Sequence, residues 1–282
     1  MLTRALFKTL AIKSLTLIAL LLLQACTSVQ CRDCISLKLP INAEDAANMR
    51  NQNNSGLREV NASIKNAQSA SWHIYLEGDG NPWRKGLWPN TNPNSRQQLA
   101  LQLMNIDNNA SVYLQRPCYG YVGIPPAPCV PALWTSARYG EAVVAALDQA
   151  LDKLQQNYGR KPLILIGHSG GGTLAMLLAQ RRKDVRGVIT LAGNLDPNAW
   201  TAHHHYLPLH ESLNPSLAPA LPATVFRWHF IGTKDVVIPA AINQHAVAQD
   251  PLAQLRVYPF GHDDGWKKMW PAILSELAVV LR

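Results

Sequence analysis

The sequence predicts an α/β fold in which helices cover both faces of a mostly parallel central sheet. Several apolar runs, such as residues 163–166 and 187–192, lack polar alternation, which is typical of strands buried on both faces. Other segments carry apolar residues at helical spacing, most clearly residues 139–158. Because such strands and helices alternate along a chain of 282 residues, a layered domain with one large core is expected.

The sequence before about residue 70 is mostly polar. Within it, residues 57–64 are assigned to a strand at the edge of the sheet. Residues 72–76 are rich in aromatic and apolar side chains and end in a Gly-rich turn, as strands often do. Residues 95–104 form a predicted helix because Leu99, Leu103 and Ile106 recur at helical spacing. Residues 111–115 are a further strand.

The second half repeats the alternation of strands and helices. The strands are predicted at residues 163–166, 187–192, 224–231 and 255–258, and the helices at residues 139–158, 173–182, 240–248 and 266–281. A strandless, Pro-rich insert at about residues 196–222 predicts a small cap over a pocket. Its three histidines, His203–His205, do not predict a metal site, because consecutive loop residues rarely converge on one ion.

The N-terminus has the three-part layout of a secretory signal peptide. Three basic residues precede an apolar run at residues 15–23, which is short for a membrane span. The sequence Leu23-Gln24-Ala25-Cys26 then resembles the lipobox of bacterial lipoproteins, in which the cysteine is lipidated. An ordinary signal peptide or an uncleaved anchor are the alternatives.

The expected organisation is a signal peptide at residues 1–25, a lipid-anchored polar tether at 26–56 and the α/β domain at 57–282. Thr27 follows Cys26 where retention in the inner membrane would favour aspartate. By resemblance, this predicts attachment to the periplasmic side of the outer membrane of a Gram-negative cell.

Charge and cysteine content agree with that compartment. The net charge of +8 falls to +5 once Arg4, Lys8 and Lys13 of the predicted signal are removed, and no basic cluster indicates nucleic acid as a partner. Without Cys26, four of the five cysteines remain, an even number in an oxidising compartment. A disulfide between Cys118 and Cys129 is predicted, while the pairing of the other two, Cys31 and Cys34, stays open.

The sequence Gly167-His168-Ser169-Gly170-Gly171 lies between a predicted buried strand and a predicted helix. This context is typical of a nucleophile elbow, in which a serine sits on a strained turn and presents its hydroxyl at the sheet edge. A Cβ at the flanking glycines would collide there. The chain lacks the P-loop and dinucleotide-site patterns in this stretch, so Ser169 is the candidate nucleophile, with a purely structural turn as the alternative.

Two further residues follow the ends of later strands. Asp235 is the candidate acid and His262 the candidate base, in the order Ser, Asp, His. The histidine would take the serine proton and return it to the leaving group, while the aspartate would fix the imidazole tautomer. Asp196 also follows a strand and is the alternative acid.

An oxyanion hole needs two backbone donors near the serine. The N–H of Gly170, directly after the nucleophile, is one candidate. The second is the N–H of Asp79, with Gly80 next, because the strand at residues 72–76 ends in Glu77-Gly78-Asp79-Gly80. A plain turn is the alternative for this segment.

From about residue 70 onward the chain resembles the α/β-hydrolase superfamily, and more narrowly a group of proteobacterial α/β-hydrolase-fold lipoproteins without an assigned substrate. The resemblance is carried by residues 75–80 with Trp83, 116–118, 169–172, 193–197 with Trp200, and 262–266. It implies hydrolysis of an ester, thioester or amide without a cofactor. Tyr119 departs from the group, in which glutamine is expected.

These features together favour a serine hydrolase, of the carboxylesterase type, that acts on a small-molecule acyl substrate at the periplasmic face of the membrane. An acyltransferase or peptidase using the same triad is the first alternative. A non-catalytic envelope lipoprotein that binds a ligand is the second. The natural substrate and the oligomeric state stay open.

Overall fold

The computed structural model describes residues 35–40, 59–65, 69–121, 123–125 and 127–282. The strands are β1 (Ile35–Pro40), β2 (Glu59–Lys65), β3 (Trp72–Leu76), β4 (Trp83–Arg84), β5 (Trp88–Pro89), β6 (Ser111–Leu114), β7 (Leu163–His168), β8 (Val185–Leu191), β9 (Phe226–Gly232) and β10 (Ala253–Tyr258). The helices are α1 (Leu99–Ile106), α2 (Glu141–Tyr158), α3 (Gly170–Arg181), α4 (Pro197–His203), α5 (Ala240–Ala248) and α6 (Trp266–Val280). The predicted signal peptide, the lipidation site Cys26, and Cys31 and Cys34 lie outside the described residues.

Eight of the described strands form one sheet, in the order β1-β2-β6-β3-β7-β8-β9-β10. All neighbouring pairs from β6 to β10 are parallel, and β1 and β2 extend the sheet in antiparallel pairing. The predicted α/β architecture with a mostly parallel sheet is therefore confirmed. β4 and β5 pair with each other as a separate hairpin, which the hydrophobic pattern does not predict.

Strand β3 contributes to the packing on both faces of the sheet because its side chains alternate. Trp72, Ile74 and Leu76 belong to the core cluster that also contains the buried residues of α2 and α3. Tyr75 points to the other face, where its ring meets Trp270 of α6 edge to face at a centroid distance of 5.9 Å. Burial on both faces explains the nearly continuous apolar sequence of the central strands.

Most predicted boundaries differ from the structure by up to three residues, and two larger differences have local reasons. β1 lies within residues 26–56, predicted as a tether, because Ile35–Pro40 is a short amphipathic edge strand in which Leu37 packs against the core and Lys38 is exposed. The first helix begins at Leu99 and not at residue 95, because Gln98 has a left-handed backbone conformation, with φ 47° and ψ 50°, that a right-handed helix cannot include.

The insert at residues 196–222 is strandless, as predicted, but it contains α4 and a 3₁₀ turn at Pro215–Leu217. α4 forms because Asp196 accepts hydrogen bonds from the N–H groups of Asn198 and Ala199 and so caps the helix. Among the described helices, none is both long enough and apolar enough to cross a bilayer.

Candidate active site

Ser169 occupies the turn between β7 and α3 in a backbone conformation that L-residues rarely adopt, with φ 53° and ψ −124°. The turn is tight enough to require glycine on both sides. A Cβ on Gly167 would lie 2.3 Å from the carbonyl oxygen of Gly171, and one on Gly171 would lie 2.1 Å from the carbonyl oxygen of Leu76. The serine itself is partly exposed to solvent.

His262 follows β10 and brings its ring between the serine and an aspartate. Its Nε2 lies 3.0 Å from Oγ of Ser169, and its Nδ1 lies 2.9 Å from Oδ2 of Asp235. A carboxylate only accepts hydrogen bonds, so the proton of the neutral ring lies on Nδ1 and Nε2 faces the serine as an acceptor. This tautomer can remove the serine proton.

Asp235 follows β9 and its side chain is fully buried. Oδ1 accepts hydrogen bonds from the N–H groups of Val237 and Ile238, both at 2.8 Å, which leaves Oδ2 for His262. Asp196, the alternative acid, uses its Oδ1 for the cap of α4 and for the side-chain amide of Asn214 at 2.7 Å. The structure therefore brings Ser169, Asp235 and His262 together and gives Asp196 different partners.

The backbone of His262 is fixed by two side chains. Its carbonyl oxygen accepts a hydrogen bond from Nε2 of the buried His168 at 3.1 Å and one from Nε1 of Trp266 at 3.0 Å. Burial alone would lower the pKa of His168, but the nearby carboxylates of Glu77 and Asp263 raise it above the usual histidine value. The raised pKa favours a ring that keeps both protons and holds the loop.

Asp79 and Gly170, two candidate oxyanion donors, adjoin each other. A Cβ on Gly170 would lie 1.9 Å from Oδ1 of Asp79, so the carboxylate fills the space where a side chain would stand. A Cβ on Gly78 would lie 3.1 Å from Cβ of Ser169, so the end of β3 closes on the nucleophile. Gly80, the third candidate, packs against the backbone of residues 93–95 instead.

The Asp79 side chain and carbonyl are held by four residues from two other segments, which we call the Asp79 clamp. Oδ1 accepts from Arg116 at 2.6 Å, and Oδ2 accepts from Arg138 at 3.0 Å and from the Tyr139 hydroxyl at 2.6 Å. The Tyr119 hydroxyl donates to the Asp79 carbonyl at 2.9 Å. These contacts fix every polar group of Asp79 except its N–H.

Together with the Asp79 carboxylate, the clamp carries a net charge of +1. Burial would raise the pKa of Asp79, but the guanidinium groups of Arg116 and Arg138 hold it below its usual range. Burial raises the pKa of Tyr139, and that of Tyr119 to about 12, so both phenols are neutral. Two cations thus face one carboxylate beside the serine.

The clamp also depends on the loop closed by the disulfide between Cys118 and Cys129. Arg116 and Tyr119 flank Cys118, so the bridge constrains the segment that holds Asp79. Glu77 links the end of β3 to the start of α1. Its carboxylate accepts hydrogen bonds from the N–H groups of Gly78 and Ala100, both at 3.1 Å.

One group of side chains in the described part of the chain has metal-ligating potential. Ligand atoms of His168, His262 and Asp263 lie within 4.8 Å of one another. Both ring nitrogens of His262 already contact Asp235 and Ser169, so an ion there would displace the serine. The run His203–His205 does not contribute to this group. Its middle residue, His204, donates to the Val237 carbonyl at 2.9 Å.

Sequence reasoning did not assign roles to Glu77, Arg116, Arg138 or Tyr139. A usable signal existed for Arg116, which follows a strand directly and precedes a charge-free stretch, residues 117–137. If such an arginine is buried, it needs an anion as its partner. No comparable signal links Arg138 and Tyr139 to Asp79, because they lie about sixty residues away.

A comparison with protein families matches residues 136–258 to a family described as serine aminopeptidase, S33. The matched segment contains Ser169 and Asp235 and is less than half of the chain. A search of curated protein sequences finds no significant match.

Many solved structures resemble the chain. An esterase from Pyrococcus furiosus has a TM-score of 0.55 and 14% identity over 86% of this chain and 91% of that one. Alpha/beta hydrolase domain-containing protein 10 from mouse has a TM-score of 0.52 and 16% identity, covering 79% and 96%. A puromycin-hydrolyzing peptidase from Mycobacterium tuberculosis has a TM-score of 0.57 and 13% identity, covering 89% of this chain but 38% of that one. At these identities the likeness shows the fold alone.

Proposed function

We propose that this chain, a member of the α/β-hydrolase superfamily, is a serine hydrolase that cleaves an acyl ester through an acyl-enzyme. The observation that carries the proposal is the continuous hydrogen-bond path from Ser169 Oγ through His262 to Asp235, with distances of 3.0 and 2.9 Å. A nucleophile, a base in the right tautomer and a buried orienting carboxylate are the parts that acyl transfer to serine needs.

In the first step Oγ of Ser169 attacks the ester carbonyl carbon while Nε2 of His262 takes the hydroxyl proton. The tetrahedral intermediate collapses, the bond to the alkoxy group breaks, and His262 returns the proton to the departing alcohol. Water then attacks the acyl-serine and gives its proton to His262, and collapse of the second intermediate releases the carboxylic acid and regenerates Ser169. Asp235 stabilises the imidazolium that forms in each half of the reaction.

The negative oxygen of each intermediate needs hydrogen-bond donors that are already in place. The N–H of Gly170 and the N–H of Asp79 are the proposed donors. The Asp79 clamp supports this assignment, because its contacts hold the other polar groups of Asp79 and its net positive charge favours an anion nearby.

A peptidase is the second candidate, supported by the description of the family that matches residues 136–258. The chemistry differs in the leaving group, which is an amine and not an alcohol. Turnover of short p-nitrophenyl esters compared with aminoacyl p-nitroanilides separates the two candidates.

A fluorophosphonate probe tests the shared proposal without a guess at the substrate. The activated Ser169 would attack phosphorus and expel fluoride, leaving a phosphonylated serine. We expect the full-length chain to be labelled, and Ser169→Ala and His262→Ala to lose labelling by ~10⁴-fold or more.

The matched control is Ser275→Ala, which removes an exposed hydroxyl on α6 that donates to the Pro271 carbonyl. This variant should label at the normal rate. Absence of labelling in the folded wild-type chain, or equal labelling of Ser169→Ala, would contradict the hydrolase proposal and favour a non-catalytic binding role.

We also propose that a lipid on Cys26 anchors the mature chain to the periplasmic side of the outer membrane. The support is the N-terminal sequence alone, since these residues lie outside the described part of the structure. Mass spectrometry of the mature N-terminus checks this, because an unmodified Cys26 would contradict it.

A further inference from the structure

The β4–β5 hairpin, residues 83–89, stands apart from the main sheet. The N–H of Leu87 donates to the Arg84 carbonyl at 3.2 Å, and the two central residues of the turn, Lys85 and Gly86, have φ values of 54° and 70°. Positive φ at both positions defines a type I′ turn, which suits a two-stranded hairpin. The structure therefore places Lys85 at the tip.

The hairpin exposes its large apolar side chains to solvent. Trp83, Leu87 and Trp88 are 39%, 74% and 63% exposed. Within the described residues the indole N–H groups of Trp83 and Trp88 have no protein acceptor, and exposure leaves them free for another partner. The N–H groups of Trp72, Trp200, Trp266 and Trp270 each donate to a protein oxygen, and that of the buried Trp134 has no partner. Adjacent exposed aromatic and apolar side chains mark a surface that contacts something other than water.

The surroundings of the hairpin lack negative charge. No acidic residue occurs between residues 80 and 106, and residues 117–137 contain no charged residue. The two segments are neighbours, because the Asn94 side chain donates to the Tyr121 carbonyl at 2.9 Å and accepts from the N–H of Gly120 at 2.7 Å. Ile124 of the second segment is also 75% exposed.

We propose that this hairpin inserts into the headgroup region of an anionic lipid bilayer. Tryptophan is enriched at membrane interfaces, where its ring meets acyl chains and its N–H meets headgroups. The exposed cations Arg84 and Lys85 complement lipid phosphates. Two cations offer fewer phosphate contacts than nucleic-acid-binding proteins use, and a second copy of the chain would bring the same positive charges together.

The contact would lie near the candidate active site. The hairpin begins four residues after Asp79, and its base is held by the N–H of Asn81, which donates to the Pro93 carbonyl at 2.9 Å. Docking would therefore bring the membrane close to the segment that carries Asp79. The inference does not rest on the proposed hydrolysis, because lipid insertion requires no chemistry.

Tryptophan quenching by nitroxide-labelled lipid tests the proposal on the full-length chain. The residues before 35 carry their own predicted membrane attachment, so vesicle binding alone would not separate the two contacts. Quenching reports which indole meets lipid. In vesicles of phosphatidylcholine and phosphatidylglycerol we expect strong quenching that is mostly lost in Trp83→Phe/Trp88→Phe and retained in Trp200→Phe, whose indole donates to Val237.

Charge reversal tests the lipid specificity. Arg84→Glu/Lys85→Glu should lose most of the quenching, as should transfer of the wild-type chain to pure phosphatidylcholine. The matched control, Lys153→Glu/Lys183→Glu, changes charge equally toward the C-terminal ends of α2 and α3 and should be quenched like the wild type. Unchanged quenching in the tryptophan double variant, or equal quenching on neutral vesicles, would overturn the proposal.

Discussion

Asp196 and Asp235 show how two aspartates with the same local pattern acquire different roles. Each follows a strand of the parallel sheet, and each accepts hydrogen bonds from the N–H groups two and three residues further along. The difference lies in the remaining contacts, Asn214 for Asp196 and His262 for Asp235. Sequence spacing therefore proposes both residues as the acid and cannot choose between them, because the choice depends on a contact with a distant loop.

Paired substitutions at these two positions test the assignment of the acid. Asp235→Asn should reduce the rate of fluorophosphonate labelling by ~10⁴-fold, because an amide favours the wrong tautomer of His262. Asp196→Asn should label normally, since asparagine also caps helices well. The labelling rates of the two variants, measured side by side, identify the acid. A larger loss of labelling rate in Asp196→Asn would assign the acid to Asp196.

At the scale of elements, the site is assembled from the ends of strands that meet at one edge of the sheet. Ser169, Asp235 and His262 follow β7, β9 and β10, and this convergence is the part that the sequence predicts well, because parallel strands bring their carboxyl ends together. The Asp79 clamp, in contrast, does not follow from the order of the strands. It joins β3 to residues beyond β6 and before α2 through buried charges, and no periodicity in the sequence records such a contact.

Tyr139→Phe tests the clamp by removing one hydroxyl that donates to Asp79. If the clamp positions the Asp79 N–H for the oxyanion, kcat on a short p-nitrophenyl ester should fall about tenfold with KM nearly unchanged. The matched control is Tyr158→Phe at the end of α2, which should behave like the wild type. A rise in KM with constant kcat would point to a role in substrate binding instead.

At the scale of the whole molecule, the order of the buried strands and helices follows from the hydrophobic pattern, whereas the strands that the pattern did not predict have exposed faces. β1 and the β4–β5 hairpin have six and two-residue strands with exposed faces, so their sequences resemble loops. The pattern of apolar residues also does not predict hydrogen-bond networks between buried polar side chains. His73 and Tyr75, for example, lie on the strand β3 that reads as apolar, yet both contact the buried Asp107 at 2.5 and 2.7 Å.

This network predicts an acid-sensitive contribution to stability. Burial would raise the pKa of Asp107, but hydrogen bonds from His73, Tyr75 and the N–H of Asn109 lower it to about 2. A depressed carboxyl pKa stabilises the fold above pH ~4, and the contribution, on the order of 2 kcal/mol, is lost as the pH falls toward 2. The free energy of unfolding in urea should therefore differ less between wild type and Asp107→Asn as the pH is lowered.

The exposed Asp152→Asn, which contacts Arg182 at the surface, serves as the control for this measurement. Its unfolding free energy should follow that of the wild type between pH 7 and pH 3. A gap between wild type and Asp107→Asn that stays constant over this range would contradict the assigned linkage.

The backbone at Ser169 implies a conflict between what the reaction needs and what the chain prefers. Its φ of 53° and ψ of −124° suit glycine, and a residue held in such a conformation costs about 1–3 kcal/mol. Glycine would relieve that strain but has no hydroxyl. The position of the turn whose backbone least favours a side chain must therefore carry the reactive one. The packing of the sheet and helix around the turn offsets this strain in the folded protein, before any ligand binds.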